Sequence, residues 1–302
     1  MRDYLKYKFL IPFILLFGFC PVVGFPQFAP AAGNPGTTAI HMDSSIFVNW
    51  ATNCSVIFGQ EDISNPQSVL ASAGDSTMAI GAPGNGVVSL GDGGYAVLTF
   101  ERPIINGNGW DFAIFENSFS NTFLELGLVE VSSDGLNYFQ FKPTSFTQDT
   151  LQIDAFGTIN PEMINNLAGK YRATFGTPFD LEELAFEQGL DVNNITHIKI
   201  IDVIGSIDPA IGTYDQFGNI INDPFPTPFP SSGFDLDAIG VIHEQPLNLV
   251  DNHHLNNIYN LIIVKKGINS FRINISDNNK GIYLLKISSY NGSFSKKFFI
   301  TK

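Results

Sequence analysis

Cysteine and histidine are scarce in this sequence. Its 302 residues include two cysteines, Cys20 and Cys54, and five histidines. Cys20 ends an N-terminal apolar run, and we expect it to be removed with a signal peptide. The rest of the chain then has one cysteine and no intrachain disulfide, so a hydrophobic core must stabilise the fold. The histidines form no cluster with metal-site spacing, which excludes the common zinc-site patterns.

Basic residues are also few, with 16 Lys and Arg against 29 Asp and Glu, and the formal net charge is −13 at pH 7. The deficit is uneven, because residues 25–245 contain 26 acids and 5 bases, whereas residues 246–302 contain 2 acids and 8 bases. This asymmetry predicts two units with different roles. The acidic unit would repel nucleic acid, whose binding requires bases that neutralise phosphates, so we expect no nucleic-acid partner.

Long apolar runs are absent beyond the N-terminus. Residues 9–19 are apolar and uncharged, and three basic residues precede them. This run is short for a membrane span and is typical of a secretory signal peptide, which we place at residues 1–24. Val22 and Gly24 allow cleavage before Phe25, and Ala29 and Ala31 allow a later cleavage. The alternatives are a buried strand, or lipid attachment at Cys20, which the bulky Phe19 before it disfavours. We expect no transmembrane segment in the mature chain.

Short apolar segments separated by Gly, Asn and Pro predict an all-β fold. Residues 129–141 form the clearest hairpin, because alternating side chains flank Asp134-Gly135 at the turn. The pattern is typical of a β-sandwich, and we predict a jelly-roll-like sandwich over residues 25–245. The other predicted strands are Tyr95–Phe100, Phe112–Phe115, Leu126–Val131, Thr196–Val203 and Phe234–Ile242.

Two short helical insertions are predicted between the strands. Asp180 is followed three residues later by Glu183, a spacing that predicts a capping box at the start of one helix, and Gly189 can end it. A weaker helix is predicted over residues 161–167. The segment from 205 to 233 contains five prolines, and we expect an ordered loop there. Long loops inside compact domains are usually functional or disordered.

Residues 246–302 differ in composition from the rest, with more Lys, Asn and Ile. Four short strands are predicted here, and together they would form a small, independent β-sandwich. They span residues 260–264, 270–275, 282–288 and 293–300.

The chain ends in Gly281-Ile-Tyr283-Leu-Leu-Lys-Ile, then Gly292, then Ser295-Lys-Lys297-Phe-Phe-Ile-Thr-Lys302. This ending resembles the type A C-terminal sorting domain of the type IX secretion system, in which a Gly-x-Tyr strand pairs with a last strand that ends in a basic residue. The resemblance implies that residues 246–302 are a sorting domain with Gly281, Tyr283, Lys297 and Lys302 as its signal. It also implies that the type IX secretion machinery is a partner, and that the protein is secreted across the outer membrane.

The ending departs from the family pattern at its start, and it also has an alternative interpretation. The family usually begins with a Pro-Asn-Pro-like segment, and Leu255-Asn-Asn-Ile stands there instead. The alternative interpretation is an ordinary terminal β-hairpin. Either interpretation gives two short paired strands at the end of the chain.

The larger unit contains five Gly-rich and acid-rich phrases: Val88-Ser-Leu-Gly-Asp92-Gly-Gly, Trp110-Asp-Phe-Ala-Ile-Phe-Glu116-Asn, Glu130-Val-Ser-Ser-Asp134-Gly, Gly176-Thr-Pro-Phe-Asp180-Leu and Gly233-Phe-Asp-Leu-Asp237-Ala. They resemble a widespread family of exported bacterial cell-surface proteins, which often carry sorting tails. The third phrase also resembles discoidin-type, galactose-binding-like jelly rolls. The resemblance implies a secreted surface domain, and it gives no catalytic residue.

Carboxylates are the abundant reactive groups of the larger unit. Asp235 and Asp237 lie two apart on a predicted strand, so both would face the same way and need a cation, hydrogen bonds or water. Asp111, Glu116 and Asp202 lie at the ends of other predicted strands and could converge on the same rim. Because calcium takes about six to eight oxygen ligands, these five carboxylates predict a structural Ca²⁺ site. The alternative is that each carboxylate caps a turn through backbone N–H groups.

Aromatic side chains are the candidate ligand-binding groups. Those that lie in or beside the Pro-rich loop are Tyr214, Phe217, Phe225 and Phe229. Stacked on a sugar face or on a corrin-like ring, they would bind a glycan or another small-molecule nutrient. The alternative is that these rings anchor the loop to the sandwich.

The sequence has no nucleophile elbow and no phosphate-binding loop. We therefore favour a non-catalytic binding module, displayed on the cell surface, over an enzyme. One alternative is a polysaccharide hydrolase with Asp111 and Glu116 as its carboxylate pair. Another is a structural or adhesive component of the surface layer. Aromatics with calcium would favour binding, opposed carboxylates in a cleft would favour hydrolysis, and the lack of a concavity would favour a structural role.

Overall fold

The computed structural model describes residues 28–246, 281–289 and 292–300. The predicted signal peptide, residues 1–24, lies outside these ranges, and so does Lys302. The chain divides into two compact units, Met1–Asn248 and Leu249–Lys302. Within the described ranges, no helix is long and apolar enough to cross a membrane.

The regular structure is made almost entirely of short strands. Three 3₁₀ helices accompany them in the described part of the chain, at Ser76–Ala79, Pro161–Met163 and Leu181–Leu184. The strands are β1 Ile40–His41, β2 Asn49–Trp50, β3 Asn53–Ile57, β4 Val88–Ser89, β5 Tyr95–Ile104, β6 Phe112–Glu116, β7 Gly127–Ser132, β8 Phe139–Gln140, β9 Thr144–Ser145, β10 Ile164–Asn165, β11 Phe175–Phe179, β12 Ile195–Asp202, β13 Asp235–Val241, β14 Gly281–Ser289 and β15 Gly292–Ile300.

In residues 28–246, two antiparallel sheets pack face to face. One has the order β1-β11-β6-β13-β2, with β4 also paired to β13, and the other has the order β3-β5-β12-β7-β8. Buried residues from both sheets form one core, such as Ile114 and Ile239 from the first sheet and Leu98 and Ile198 from the second. The prediction of an all-β sandwich with short helical insertions is confirmed.

Burial explains why β5 and β6 have different sequence patterns. In β5, Ala96 and Leu98 are buried in the core while their neighbours are partly exposed, so one face of the strand meets solvent. All five residues of β6 are buried. Phe112 and Ile114 face the main core, whereas Phe115 packs on Phe47 and Trp50 at the back of the sheet. The last residue of β6, Glu116, is therefore a buried carboxylate.

The predicted hairpin is present, with β7 pairing with β8 across a turn. The Asp134 carboxylate accepts hydrogen bonds from the backbone N–H groups of Leu136 and Asn137, both at 2.8 Å. These bonds stabilise the ionised form and hold the pKa of Asp134 well below its usual value. Gly135 has φ +76°, which glycine adopts without strain, so the Asp-Gly pair suits this turn.

Both predicted helices are shorter than expected. Asp180 accepts a hydrogen bond from the Glu182 N–H at 3.0 Å and begins the 3₁₀ helix Leu181–Leu184. Glu183 instead accepts from the Asn166 side chain at 2.5 Å, so the predicted capping box does not form. The segment predicted as a second helix has one 3₁₀ turn, Pro161–Met163, and then enters β10, because β10 pairs with β9.

In the second unit, β14 pairs antiparallel with β15. Tyr283 lies opposite Phe298, and Leu284 lies opposite Lys297. These strands match the last two that the sequence predicts for the tail. The first two predicted strands, residues 260–264 and 270–275, lie outside the described residues.

We expect a fragment of residues 25–245 to fold without the tail, because the core residues that join the two sheets all lie within it. Differential scanning calorimetry should show one transition, with equal calorimetric and van't Hoff enthalpies. A broad, non-cooperative transition would show that the domain boundary before residue 246 is wrong.

Candidate functional site

Four phenylalanine rings form a row on the surface, which we call the aromatic ladder: Phe119, Phe123, Phe156 and Phe229. The ring centroids of Phe119 and Phe123 are 5.7 Å apart, those of Phe123 and Phe156 are 6.3 Å apart, and those of Phe156 and Phe229 are 5.9 Å apart. Phe119 is 82% exposed, Phe156 is 73% exposed and Phe229 is 41% exposed. The ladder is therefore a row of rings that leaves much aromatic surface in contact with solvent.

Three loops contribute rings to the ladder. Phe119 and Phe123 lie between β6 and β7, Phe156 lies between β9 and β10, and Phe229 lies in the Pro-rich loop before β13. The first loop is folded tightly, because the Ser118 hydroxyl donates to the carbonyl oxygens of Ser120 and Phe123. This turn brings Phe119 and Phe123 together on one side of their loop.

Three acids meet at the ends of the strands that flank these loops. Carboxylate oxygens of Glu116, Glu125 and Asp235 all lie within 4.8 Å of one another. Glu116 is the last residue of β6 and Asp235 the first residue of β13, while Glu125 precedes β7 by two residues. The two strands are neighbours, and Glu116 pairs with Leu236, so the fold places the three carboxylates together.

A fourth acid, Asp223, adjoins these three, and we call the four residues the acid group. Asp223 is 3% exposed, and its Oδ2 accepts a hydrogen bond from the Leu126 N–H at 2.8 Å, next to Glu125. Its other oxygen, Oδ1, is buried and has no hydrogen-bond partner. Buried polar atoms are normally paired, so an unpaired carboxylate oxygen at this position is unusual.

Burial and mutual repulsion disfavour the charged forms of the acid group. Burial raises the pKa of Glu116 well above its usual value, and the charges of Asp235 and Asp223 raise it further. Burial likewise raises the pKa of Glu125 strongly, with added repulsion from Glu116 and Asp235. Burial also raises the pKa of Asp235, to about 6, although the Ser89 hydroxyl donates a hydrogen bond to it.

Among the described residues, no basic side chain pairs with this group: no Lys, Arg or His forms an ion pair with any of the four acids. The buried Lys170 donates instead to the Ile164 carbonyl oxygen at 2.7 Å. Hydrogen bonds from the Ser118 N–H to Glu116, at 2.8 Å, and from the Ser89 hydroxyl to Asp235 offset part of the repulsion, and protons or a bound cation would relieve the rest.

Two of the five predicted metal ligands, Glu116 and Asp235, belong to the acid group. Asp202 contributes its charge to the environment of Glu125, but its oxygens accept hydrogen bonds from Phe234 N at 2.7 Å and Gly93 N at 3.0 Å. It therefore stabilises the connection between β12 and β13. Glu125 and Asp223, which complete the group, are not among the residues that the sequence singles out.

The structure does not bring Asp111 and Asp237 into the acid group. Asp111 is fully buried and accepts three hydrogen bonds, which link it to the loop before β6, to a 3₁₀ helix and to His243. Asp237 accepts from the Gly84 N–H at 2.9 Å. The pairing of β13 with β6 shifts register between Leu236 and Ala238. This bulge interrupts the alternation that predicted a common face for Asp235 and Asp237.

The four aromatic residues that the sequence predicts as ligand-binding groups do not form one site. Phe229 is part of the ladder, whereas Phe225 is buried, with only 6% of its surface exposed. Tyr214 and Phe217 are exposed on a small turn, closed by a bridge between Tyr214 and Ile220. Phe119, Phe123 and Phe156 were missed. Phe119 follows Ser118 and Phe123 follows Thr122 in a polar turn, and an aromatic residue in such a turn is the signal that could have indicated them.

Two open cavities lie elsewhere on this unit. One, of about 490 Å³, is a groove on the outer face of the second sheet, lined by Asn53, Tyr95, Thr99, Tyr138 and His197 among others. The other, of about 290 Å³, is lined by Phe146, Ile153 and Met163 with polar neighbours. Neither cavity is lined by a carboxylate. Cys54 borders the groove, and burial raises the pKa of its thiol to about 12, which favours the protonated form at neutral pH.

The second unit matches a known family. Residues 249–301 match the family model of the secretion system C-terminal sorting domain. The tail is a sorting domain. The protein is therefore exported by the type IX secretion system, and it is located at the cell surface or in the extracellular space. No curated protein and no solved structure matches the chain.

Three of the four residues that the sequence singles out as the sorting signal lie within the matched range, and the fourth, Lys302, lies just beyond it. Gly281 and Tyr283 lie on β14, and Lys297 lies on β15, where it pairs with Leu284. The resemblance of the first unit to galactose-binding-like jelly rolls stays a prediction, since the family match is confined to the sorting domain.

Proposed function

We propose that the first unit is a non-catalytic binding module, and that it holds a polysaccharide chain against the aromatic ladder. The observation that supports this proposal is the exposure of Phe119 and Phe156 in one continuous row of rings. Large apolar side chains exposed together on a secreted protein usually form a binding surface. Export places this surface in contact with the polymers outside the cell.

The shape of the ladder fits an extended sugar polymer. Aromatic rings offer flat apolar faces, and the C–H face of a sugar ring stacks on such a face. Successive rings of the ladder stack or tilt on one another, with 19°, 25° and 37° between their planes, so a sugar would contact the exposed edges of the row and the uncovered ring surface of Phe119 and Phe156. A compact ligand would use one or two rings, whereas a polymer can lie along the whole row.

A hydrolase is less well supported by the geometry. The carboxylate pair considered for it, Asp111 and Glu116, is buried, with at most 1% of either residue exposed. Asp111 is also engaged by three hydrogen-bond donors. A glycosidase needs two carboxylates that flank the scissile bond in an open cleft. These two carboxylates cannot reach a sugar in this arrangement.

The test is a glycan array, followed by calorimetry on the glycan that binds. Replacing one exposed ring, Phe119→Ala or Phe156→Ala, should weaken affinity about 5-fold, because a stacked ring contributes about 1 kcal/mol. The double variant should lose about 30-fold. Phe186→Ala is the matched control, since Phe186 is 94% exposed but lies outside the ladder. It should bind like the wild type.

Two results would contradict this assignment. One is an array on which no glycan binds the full chain. The other is a glycan that binds the double ladder variant normally but not Tyr138→Ala, which would place the ligand in the groove on the second sheet. Thermal melts should show that all of these surface variants are folded, with changes within about 2 °C.

A further inference from the structure

The geometry points to a bound calcium ion between Glu116, Glu125 and Asp235, with Asp223 beside it. This inference rests on the acid group alone and is independent of what the ladder binds. The carboxylates come from three separate segments of the chain. Their convergence is therefore a property of the folded unit.

The distances suit a cation. Three oxygens that lie within 4.8 Å of one another share a centre that is no more than about 2.8 Å from each, close to the Ca²⁺–oxygen distance of about 2.3–2.6 Å. Asp223 supplies a second and independent observation. Its Oδ1 is buried without a hydrogen-bond partner, while its Oδ2 holds the backbone next to Glu125.

The chemistry of the ligands selects the kind of metal. All of the available side-chain donors are carboxylate oxygens, which favour a hard cation over zinc or copper. Magnesium requires a near-ideal octahedron at about 2.0–2.1 Å, and it is usually held by one or two carboxylates with several waters, whereas three carboxylates converge here. Calcium tolerates irregular geometry and larger distances, so it fits these positions best.

The ion would also fix the loops that carry the ladder, and this further step rests on the proposed function. Glu116 and Glu125 bracket the loop that bears Phe119 and Phe123. Asp223 and Asp235 bracket the part of the Pro-rich loop that bears Phe229. A cation that holds these acids together would tie the bases of both loops at one point.

The test uses the full chain, stripped with EDTA and titrated with CaCl₂ or MgCl₂ in a calorimeter. We expect one Ca²⁺ per chain, with weaker binding of Mg²⁺. Calcium at about 100 times its Kd should raise the melting temperature by about 5–10 °C relative to EDTA. Glu125→Gln and Asp235→Asn should each weaken Ca²⁺ binding at least about 10-fold. Asp237→Asn is the matched control on the same strand and should bind Ca²⁺ normally.

Two outcomes would overturn the site. Equal melting temperatures of the wild type in calcium and in EDTA, with no heat of binding, would mean that the acids are neutralised by protons. Calcium binding that survives both Glu125→Gln and Asp235→Asn would place the ion elsewhere. The wild-type measurement needs no variant, so it decides the question even if a variant fails to fold. Because neither readout involves a glycan, failure of the ladder proposal would leave this test unchanged.

Discussion

Deletion of residues 246–302 is expected to abolish surface display and to leave folded protein in the periplasm. A signal peptide directs a chain across the inner membrane only. The sorting domain at 249–301 is the part of this chain that the type IX secretion system recognises. Surface display can be measured by adding protease to intact cells, and the periplasmic fraction by immunoblotting after fractionation. The surface signal should fall to background, while the periplasmic protein should resist proteolysis like a folded domain.

Single substitutions in the sorting domain should have smaller effects. Tyr283→Ala changes a residue of the predicted sorting signal on β14, opposite Phe298, and should reduce the displayed fraction without abolishing it. Ser288→Ala, nearer the end of the same strand, is the control and should be displayed normally. Normal surface display of the deletion variant would be incompatible with a role of the tail in export.

Strands with a strong local pattern could be predicted from the sequence. Strand β5 alternates buried and partly exposed residues, and β6 is a continuous apolar run, so each pattern is visible within a few positions. The two-residue strands β1, β2 and β4 were not predicted. A pair such as Ile40–His41 has no periodicity, and it is a strand only because β11 lies beside it.

The acid group shows where such reasoning ends. Glu116 and Asp235 could be predicted because each lies at the end of an apolar strand. Asp223 joins them through a loop, and its partner Leu126 is far away in the sequence. The bulge near Asp237 depends on the pairing of β13 with β6, which a single strand does not reveal. Sequence patterns locate carboxylates on strands, whereas only the assembled sheets decide which carboxylates meet.

The second large effect, a loss of stability, is expected when Asp111 is replaced. Its carboxylate connects three parts of the fold. It accepts hydrogen bonds from Gly107 N at 2.7 Å, Leu181 N at 2.7 Å and His243 Nδ1 at 2.8 Å. It is fully buried, so water cannot replace its oxygens. Burial raises the pKa of Asp111, and these hydrogen bonds oppose that rise by stabilising the ionised form. The carboxylate thus connects the start of β6, a 3₁₀ helix and the end of β13.

Asp111→Asn should therefore destabilise the fold strongly without affecting calcium. The amide nitrogen would face a donor N–H, which leaves buried donors unpaired at a cost of about 3–5 kcal/mol. The melting temperature of the full chain should fall by about 10 °C. Asp237→Asn keeps a side-chain oxygen that can accept the hydrogen bond from the Gly84 N–H, so its melting temperature should fall by only a few degrees. Calorimetry on folded Asp111→Asn should give the wild-type Ca²⁺ affinity. A melting temperature within about 2 °C of the wild type, together with a 10-fold loss of Ca²⁺ affinity, would make Asp111 a metal ligand instead.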